Sequence, residues 1–160
     1  RIRPAGSTMQ QQKVTPKAIF SVLGGAASSY KFVKEFPDAA NGIIDCNHWF
    51  NPKDPRAQAL KKRVEAKGLF FSYEVFMTYT SMRLLADAID RAKSVDRAAI
   101  IDALGKSTFS DHIMPYGPTK FVNGQNIGAQ PLMTQVYKND IKVIIPRDYR
   151  EIDPIFPLKA

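Results

Sequence analysis

Short apolar runs alternate along the chain with longer amphipathic stretches, and the two periods separate strands from helices. The run Ala18-Ile19-Phe20-Ser21-Val22-Leu23 is apolar almost throughout, is of strand length, and is stopped by Gly24-Gly25. That pattern predicts a strand buried on both faces, the kind that belongs to parallel sheets. Ser28 and Ser29 then offer N-caps for a short helix carrying Tyr30, Val33 and Phe36, with Pro37 closing it. From about Gly42 to His48 a second strand places Ile44, Cys46 and His48 on one face and Ile43, Asp45 and Asn47 on the other. Strand, helix and strand make a βαβ unit.

Three helices are predicted next. The first has Asp54 as N-cap, Pro55 at its first position, Ala57, Leu60 and Val64 along one face, and Gly68 past its end. The longest runs from about Ser72 to Lys93; its expected buried stripe is Val75, Met82, Leu85, Ile89 and Ala92, with Arg83, Asp87 and Arg91 at i,i+4 on the wet side. Its approach and first turn, Phe70 to Met77, are apolar almost all round. Asp96 caps a third helix that Gly105 stops. Beyond it the period shortens to two, giving a strand at 117–122, a polar turn Asn123-Gly124-Gln125-Asn126, and a hairpin. The hairpin pairs Thr134–Lys138 with Ile141–Ile145 around a two-residue Asn139-Asp140 turn. Pro154 and Pro157 make the tail extended and irregular. The fold class is α/β. Residues 1–8 show no period and read as a leader, a linker or a cloning scar.

With 44% hydrophobic and 24% charged residues in 160, the chain has enough apolar surface to bury a core, which excludes wholesale disorder. No run approaches the roughly 18 uninterrupted apolar residues of a membrane-spanning helix. A net charge of +8 admits nucleic acid, an acidic membrane surface or anionic small molecules as partners. The single cysteine, Cys46, excludes an internal disulfide framework.

Cys46 and His48 share a strand face, as a nucleophile or metal pair would, yet the only other histidine or cysteine is the distant His112. A satisfied strand histidine is the default. The chain holds no phosphate loop, GxSxG elbow or HExxH pair, so it is read as a non-enzyme with no metal and no cofactor. Lys61, Lys62, Arg63 and Lys67 form a basic helix face without interleaved aromatic readers, which reads as a solvated face rather than a track for nucleic acid. Gly24-Gly25-Ala26 is more informative. It sits at the carboxyl end of a predicted parallel strand and leads to a helix N-terminus, where open α/β sheets bind ligands; a tight turn needing glycine explains it equally well. Tyr73 and Glu74 open the long helix, and Glu74 suits the helix dipole with or without a ligand.

Four segments in order resemble a known family. Val14-Thr15-Pro16-Lys17-Ala18 leading to Gly24-Gly25 is similar to its helix, strand and ligand loop. Tyr79 through Arg83-Leu84-Leu85-Ala86-Asp87-Ala88-Ile89 resembles its long helix, with Thr80 where an aspartate usually follows the tyrosine. Asp96 to Leu104 resembles the next helix, and Gly117-Pro118-Thr119-Lys120-Phe121 with Asn123-Gly124-Gln125 its Gly-Pro strand and turn, with Val122 where an aspartate is common. The family is that of ABC-importer solute-binding proteins with the type I periplasmic fold, branched-chain amino-acid (leucine/isoleucine/valine) group, and the likeness runs from Met9 to about Ile145. Members are two-lobed and longer, so the resemblance implies the carboxyl-terminal half.

It further implies that residues 9–48 and 132–160 belong to the second lobe and 49–131 to the first, with crossings near Trp49–Pro52 and Asn126–Pro131. The implied function is extracytoplasmic, most simply periplasmic: capture of a small amino-acid-like, aromatic or other carboxylate ligand between lobes, then delivery to an ABC permease. The implied ligand-binding residues are Gly24, Gly25, Ala26, Tyr73, Glu74, His48 and Trp49, with Asn47 beside them. Gly24 stands near where some members carry an acidic partner for the ligand ammonium, which admits a ligand without that group and leaves Glu74 as a replacement charge. Expected partners are the missing amino-terminal half or a second copy of the chain, and no nucleic acid. The reading from another class is a basic α/β regulatory or nucleic-acid-binding domain.

Overall fold

The computed structural model describes residues 11–14, 16–22 and 29–158. A four-stranded sheet runs in the order β1-β2-β5-β6, from Phe20–Val22 (β1), Ile44–Asn47 (β2), Leu132–Tyr137 (β5) and Asp140–Ile145 (β6). β1 pairs parallel with β2, Phe20 opposite Ile44, while β2 to β5 and β5 to β6 are antiparallel. The βαβ unit and the hairpin therefore share one mixed sheet. The first connection holds two short helices, α1 (Tyr30–Glu35) and α2 (Pro37–Ala40). Pro37 occupies the first position of α2 instead of closing the helix before it, since its fixed φ suits a helix start.

α3 (Pro55–Glu65), α4 (Tyr73–Ala92) and α5 (Arg97–Gly105) lie outside the sheet, as does a small ladder of β3 (Phe121–Val122) and β4 (Gln125–Asn126). The caps are where local chemistry puts them. The Asp54 carboxylate accepts from the Arg56 N–H at 2.8 Å, and that of Asp96 from the Ala98 and Ala99 N–H groups at 3.0 Å each. No helix among the described residues is long and apolar enough to cross a membrane.

Further expectations change. Among the described residues β1 is an edge strand with Phe20 62% and Val22 68% exposed, not a strand buried on both faces, because β2 flanks it on one side only. α4 turns a different line inward. Phe76, Thr80 and Ala88 are buried at i,i+4 spacing while Met82 is 59% exposed, because Phe76 seats among the aromatic rings of the core. Its supposed wet side faces α5 and the segment after it instead: Arg83 pairs with Asp111, and Arg91 donates to the Ala103 carbonyl at 2.7 Å while holding Asp87 at 2.9 Å. The expected four-residue polar turn contracts to Asn123-Gly124, at φ of 49° and 78°, and Gln125 and Asn126 join the ladder. The favoured type I′ geometry needs only those two residues.

The hairpin turn also lies one residue earlier than expected. Lys138 and Asn139 take the positive φ values, 49° and 62°, and Asp140 pairs with Tyr137. Asp140 is drawn into the strand by its own carboxylate, which accepts the Ile141 N–H at 2.8 Å and pairs with Lys142 at 2.7 Å.

One core joins these parts: Val33, Ile43, Leu132, Val136, Ile141 and Val143 from the sheet region meet Trp49, Phe50, Phe71, Phe76, Ile113 and Met114. Lys61 is not simply solvated. Its ammonium donates to the Tyr30 hydroxyl at 3.0 Å, lies 4.7 Å above that ring and 4.0 Å from Asp140, tying α3 to α1 and β6.

Candidate functional site

β2 delivers the chain to one end of the sheet, and the residues that leave it there are polar, then aromatic. Asn47 is buried, and its side-chain oxygen accepts the His48 N–H at 2.8 Å, which fixes the bend out of the strand. His48 is half-buried. Trp49 and Phe50 turn inward: the Trp49 ring lies 6.1 Å from Tyr30 and 5.4 Å from Phe76, and Phe50 lies 5.1 Å from Phe71. Such tilted and edge-on pairs are worth about 0.5–1.5 kcal/mol each beyond area burial. The cluster welds the start of α4 to the end of β2.

Tyr73 and Glu74 stand at that start. Tyr73 packs against the core cluster and Glu74 is exposed. The Ser72 hydroxyl, and after it the Glu74 backbone and Tyr73 phenol, hold the Glu74 carboxyl below its usual range, so it is ionised at neutral pH. Its charge in turn pushes the Tyr73 phenol up. The structure thus brings Trp49 and Tyr73 to one core cluster, with Trp49 entirely buried as a core residue, while Glu74, next to Tyr73 in the chain, is open to solvent and His48 is half-buried at the end of β2. Gly24, Gly25 and Ala26 lie outside the described residues.

Sequence reasoning missed Thr80. It is 8% exposed and, with the Asn47 side-chain amide and the Trp49 indole, it presents a buried polar atom that has no hydrogen-bond partner among the described residues. The only signal for it was a threonine where the resembled family carries an aspartate. Cys46 is a half-buried free thiol, and His112 is remote from it in function: its Nε2 lies 3.1 Å from the Gly117 carbonyl and its Nδ1 accepts the Met114 N–H at 3.3 Å. Both His112 nitrogens are spent on the backbone. Burial, outweighing the Gly117 hydrogen bond, moves its pKa down and keeps it neutral. Among the described residues no group of three or more metal-ligating side chains gathers. Two surface grooves open at α2 and the hairpin tip, one of about 570 Å³ between Asp38, Asn41, Tyr137 and Leu158. They sit at the other end of the sheet from Asn47 and touch none of the candidate residues.

A family model described as periplasmic binding protein matches residues 4–140. No curated protein matches the sequence. Among solved structures, a putative branched-chain amino acid ABC transporter protein from Silicibacter pomeroyi is 18% identical with a TM-score of 0.71, over 95% of this chain and 44% of that one. A leucine-binding protein from Thermotoga maritima MSB8 is 19% identical with a TM-score of 0.67, over 86% of this chain and 39% of that one. An extracellular ligand-binding receptor from Rhodopseudomonas palustris HaA2 is 19% identical with a TM-score of 0.63, over 85% and 42%. The chain therefore spans less than half the length of the structures it matches. Its mixed α/β sheet is that of the type I periplasmic binding fold, and with a match over most of its length the chain belongs to the periplasmic binding protein family.

Proposed function

We propose that this chain is the carboxyl-terminal part of an extracytoplasmic, periplasmic solute-binding protein that captures a small amino-acid-like or carboxylate-bearing solute and delivers it to an ABC permease. The observation that carries the reading is the double crossing of the chain. Among the described residues the four-stranded sheet uses residues 20–47 and 132–145 only, and the chain leaves it at His48-Trp49, where Trp49 enters the core cluster that Tyr73 packs against, and returns at Leu132. Residues 9–48 and 132–160 are accordingly assigned to one lobe and 49–131 to the other, with the solute held where the crossings run and closure around a hinge excluding water. Glu74 is the group for a solute ammonium: it is exposed, ionised and at the mouth of the weld. His48, half-buried where the chain leaves β2, is the candidate polar contact on the sheet side.

The remaining wall comes from a further portion such as the one the longer relatives carry, or from a second copy of the chain. Met82, Ile101, Val122 and Ile127, between 44% and 59% exposed, are the apolar surface offered to it. Nucleic acid is not the partner on this reading, and the chain is a binder without catalytic turnover.

The test is calorimetric titration of leucine, and of the same carbon skeleton without its amino group, into the 160-residue chain alone and into the chain fused to the amino-terminal portion of the Silicibacter relative. The expected result is micromolar binding by the fusion, binding at least roughly 100-fold weaker by the chain alone, and loss of preference for the amino compound in Glu74→Gln. Salt-steep binding of DNA with no solute response would favour the regulatory or nucleic-acid reading instead.

A further inference from the structure

The last residues of the chain cross the sheet from one edge to the other. Glu151 starts the crossing at β6: its N–H donates to the Val143 carbonyl at 2.8 Å and its carboxylate accepts the Val143 N–H at 2.9 Å. Arg150 adds a bond from its Nε to the Ile144 carbonyl at 3.0 Å. At β5 the tail meets Gln135, which is 1% exposed. The Gln135 amide nitrogen donates to the Ile155 and Gly42 carbonyls, 3.0 Å each, and its oxygen accepts the Ile155 N–H at 2.9 Å. One side chain thus reads both backbone groups of the tail and the entry to β2. The crossing ends where Leu158 seats against Gly42 and donates its N–H to the Lys17 carbonyl, just before β1, at 2.8 Å. Gly42 has a φ of 84°, and any Cβ there would occupy the Leu158 side chain's place.

β1 and the entry to β2 need such a hold. Among the described residues β1 has three residues, pairs on one side only, and exposes Phe20 and Val22, so those side chains contribute little to keeping it in register. A one-residue slip of a strand exchanges its faces. For β2 that slip would carry Asn47 and His48 to the wrong sides of the sheet, at the end where the candidate site begins.

We propose that residues 150–158 are a strap that locks the register of β1 and β2 from the far end of the sheet, with Gln135 and Leu158 as positioning residues for the His48 end. The consequence for solute binding rests on the function proposed above; the register lock does not. Hydrogen exchange on the solute-free chain separates the two. In Leu158→Ala, and in a chain ending at Asp153, exchange of the Ile44 amide and its β1 partners should quicken at least roughly tenfold relative to the Val136 and Val143 amides of the hairpin, and a peptide of residues 150–158 added to the shortened chain should restore protection. Gln135→Met, which keeps the volume and removes the three bonds, should behave as Leu158→Ala does. Unchanged protection at β1 and β2 in these variants, or a loss spread evenly over all four strands, would overturn the strap. Leucine titration of the fusion carrying Leu158→Ala, with β2 exchange already shown to quicken, then reports on the solute reading alone.

Discussion

The sheet region and the helical arm, meaning α4 beyond Thr80 with α5 and the β3–β4 ladder, are built from similar amounts of apolar material but are covered very differently. Around the sheet, Val33, Ile43, Leu132, Val136, Ile141 and Val143 are all 6% exposed or less. In the arm only Ala88 and Ala103 are buried, while Met82, Val95, Ile101, Val122 and Ile127 are between 44% and 85% exposed. The arm has Leu84, Leu85, Ile89 and Leu104 as well, so composition is not the difference. What the arm lacks is a second surface. An amphipathic pattern records which face a helix was selected to cover, and burial follows only when the covering partner is present.

The largest way to break this contrast is at the weld. Phe76 is completely buried and touches Trp49, Phe50 and Phe71, which makes it the most deeply seated side chain joining α4 to the sheet region. Phe76→Ala should cost about 3–5 kcal/mol by the lost transfer and the cavity left behind, and urea unfolding should show the two regions melting apart.

Next comes His112 in the segment between α5 and β3. Replacing it by Phe leaves the Gly117 carbonyl and the Met114 N–H without their partner, at about 1–3 kcal/mol for each buried group. Its pH dependence has a definite sign. The folded pKa is moved below the ordinary 6.5, so the unfolded chain binds the proton more readily. Stability is full above that ordinary value and falls as pH drops through it toward the folded pKa. Urea midpoints of the parent should therefore decline over that window, and those of His112→Phe should decline less.

A smaller effect is expected at the α5 cap, where Asp96→Ala should remove about 1 kcal/mol and lower helical circular dichroism without disturbing the sheet. Smallest of all, Ile101→Lys should change stability by no more than about 0.5 kcal/mol in the chain alone, since 58% of Ile101 is already in water. The same change in the fusion described above should cost several times more. Equal effects in both would remove the case for a partner on the arm.

What the sequence disclosed was the local chemistry. Asp54-Pro55 and Asp96 begin helices because the carboxylate reaches N–H groups two or three residues away, and no distant residue enters that choice. The Asn123-Gly124 turn was legible as a turn for the same reason, though not in its extent. The α4 stripe was not. Val75, Met82, Leu85 and Ile89 form a good apolar line, yet Phe76, Thr80 and Ala88 go inside, and only the position of Trp49 and Phe50 decides between the two faces. The site divides likewise. Tyr73 packs against the long-range cluster that buries Trp49, a meeting that periodicity does not show; the family likeness offers the two as ligand-binding residues, not as packing partners. Thr80 stands out in the sequence only as a departure from the family's aspartate, because a lone threonine in a helix carries no periodic signal.

The sheet's mixed pairing also sets an order of events. Asp140 finds Tyr137 across a two-residue turn, a closure of the kind completed in about 1–10 μs. Ile44 must find Gln135, roughly ninety residues away, before β2 has a neighbour on that side. Closing so long a loop carries an entropic penalty that the local hairpin escapes, and non-local pairing of this sort governs folding speed. On that ground the β5–β6 hairpin is expected to form ahead of the sheet and to serve as its template, with the arrival of β2 on its free edge the slower step.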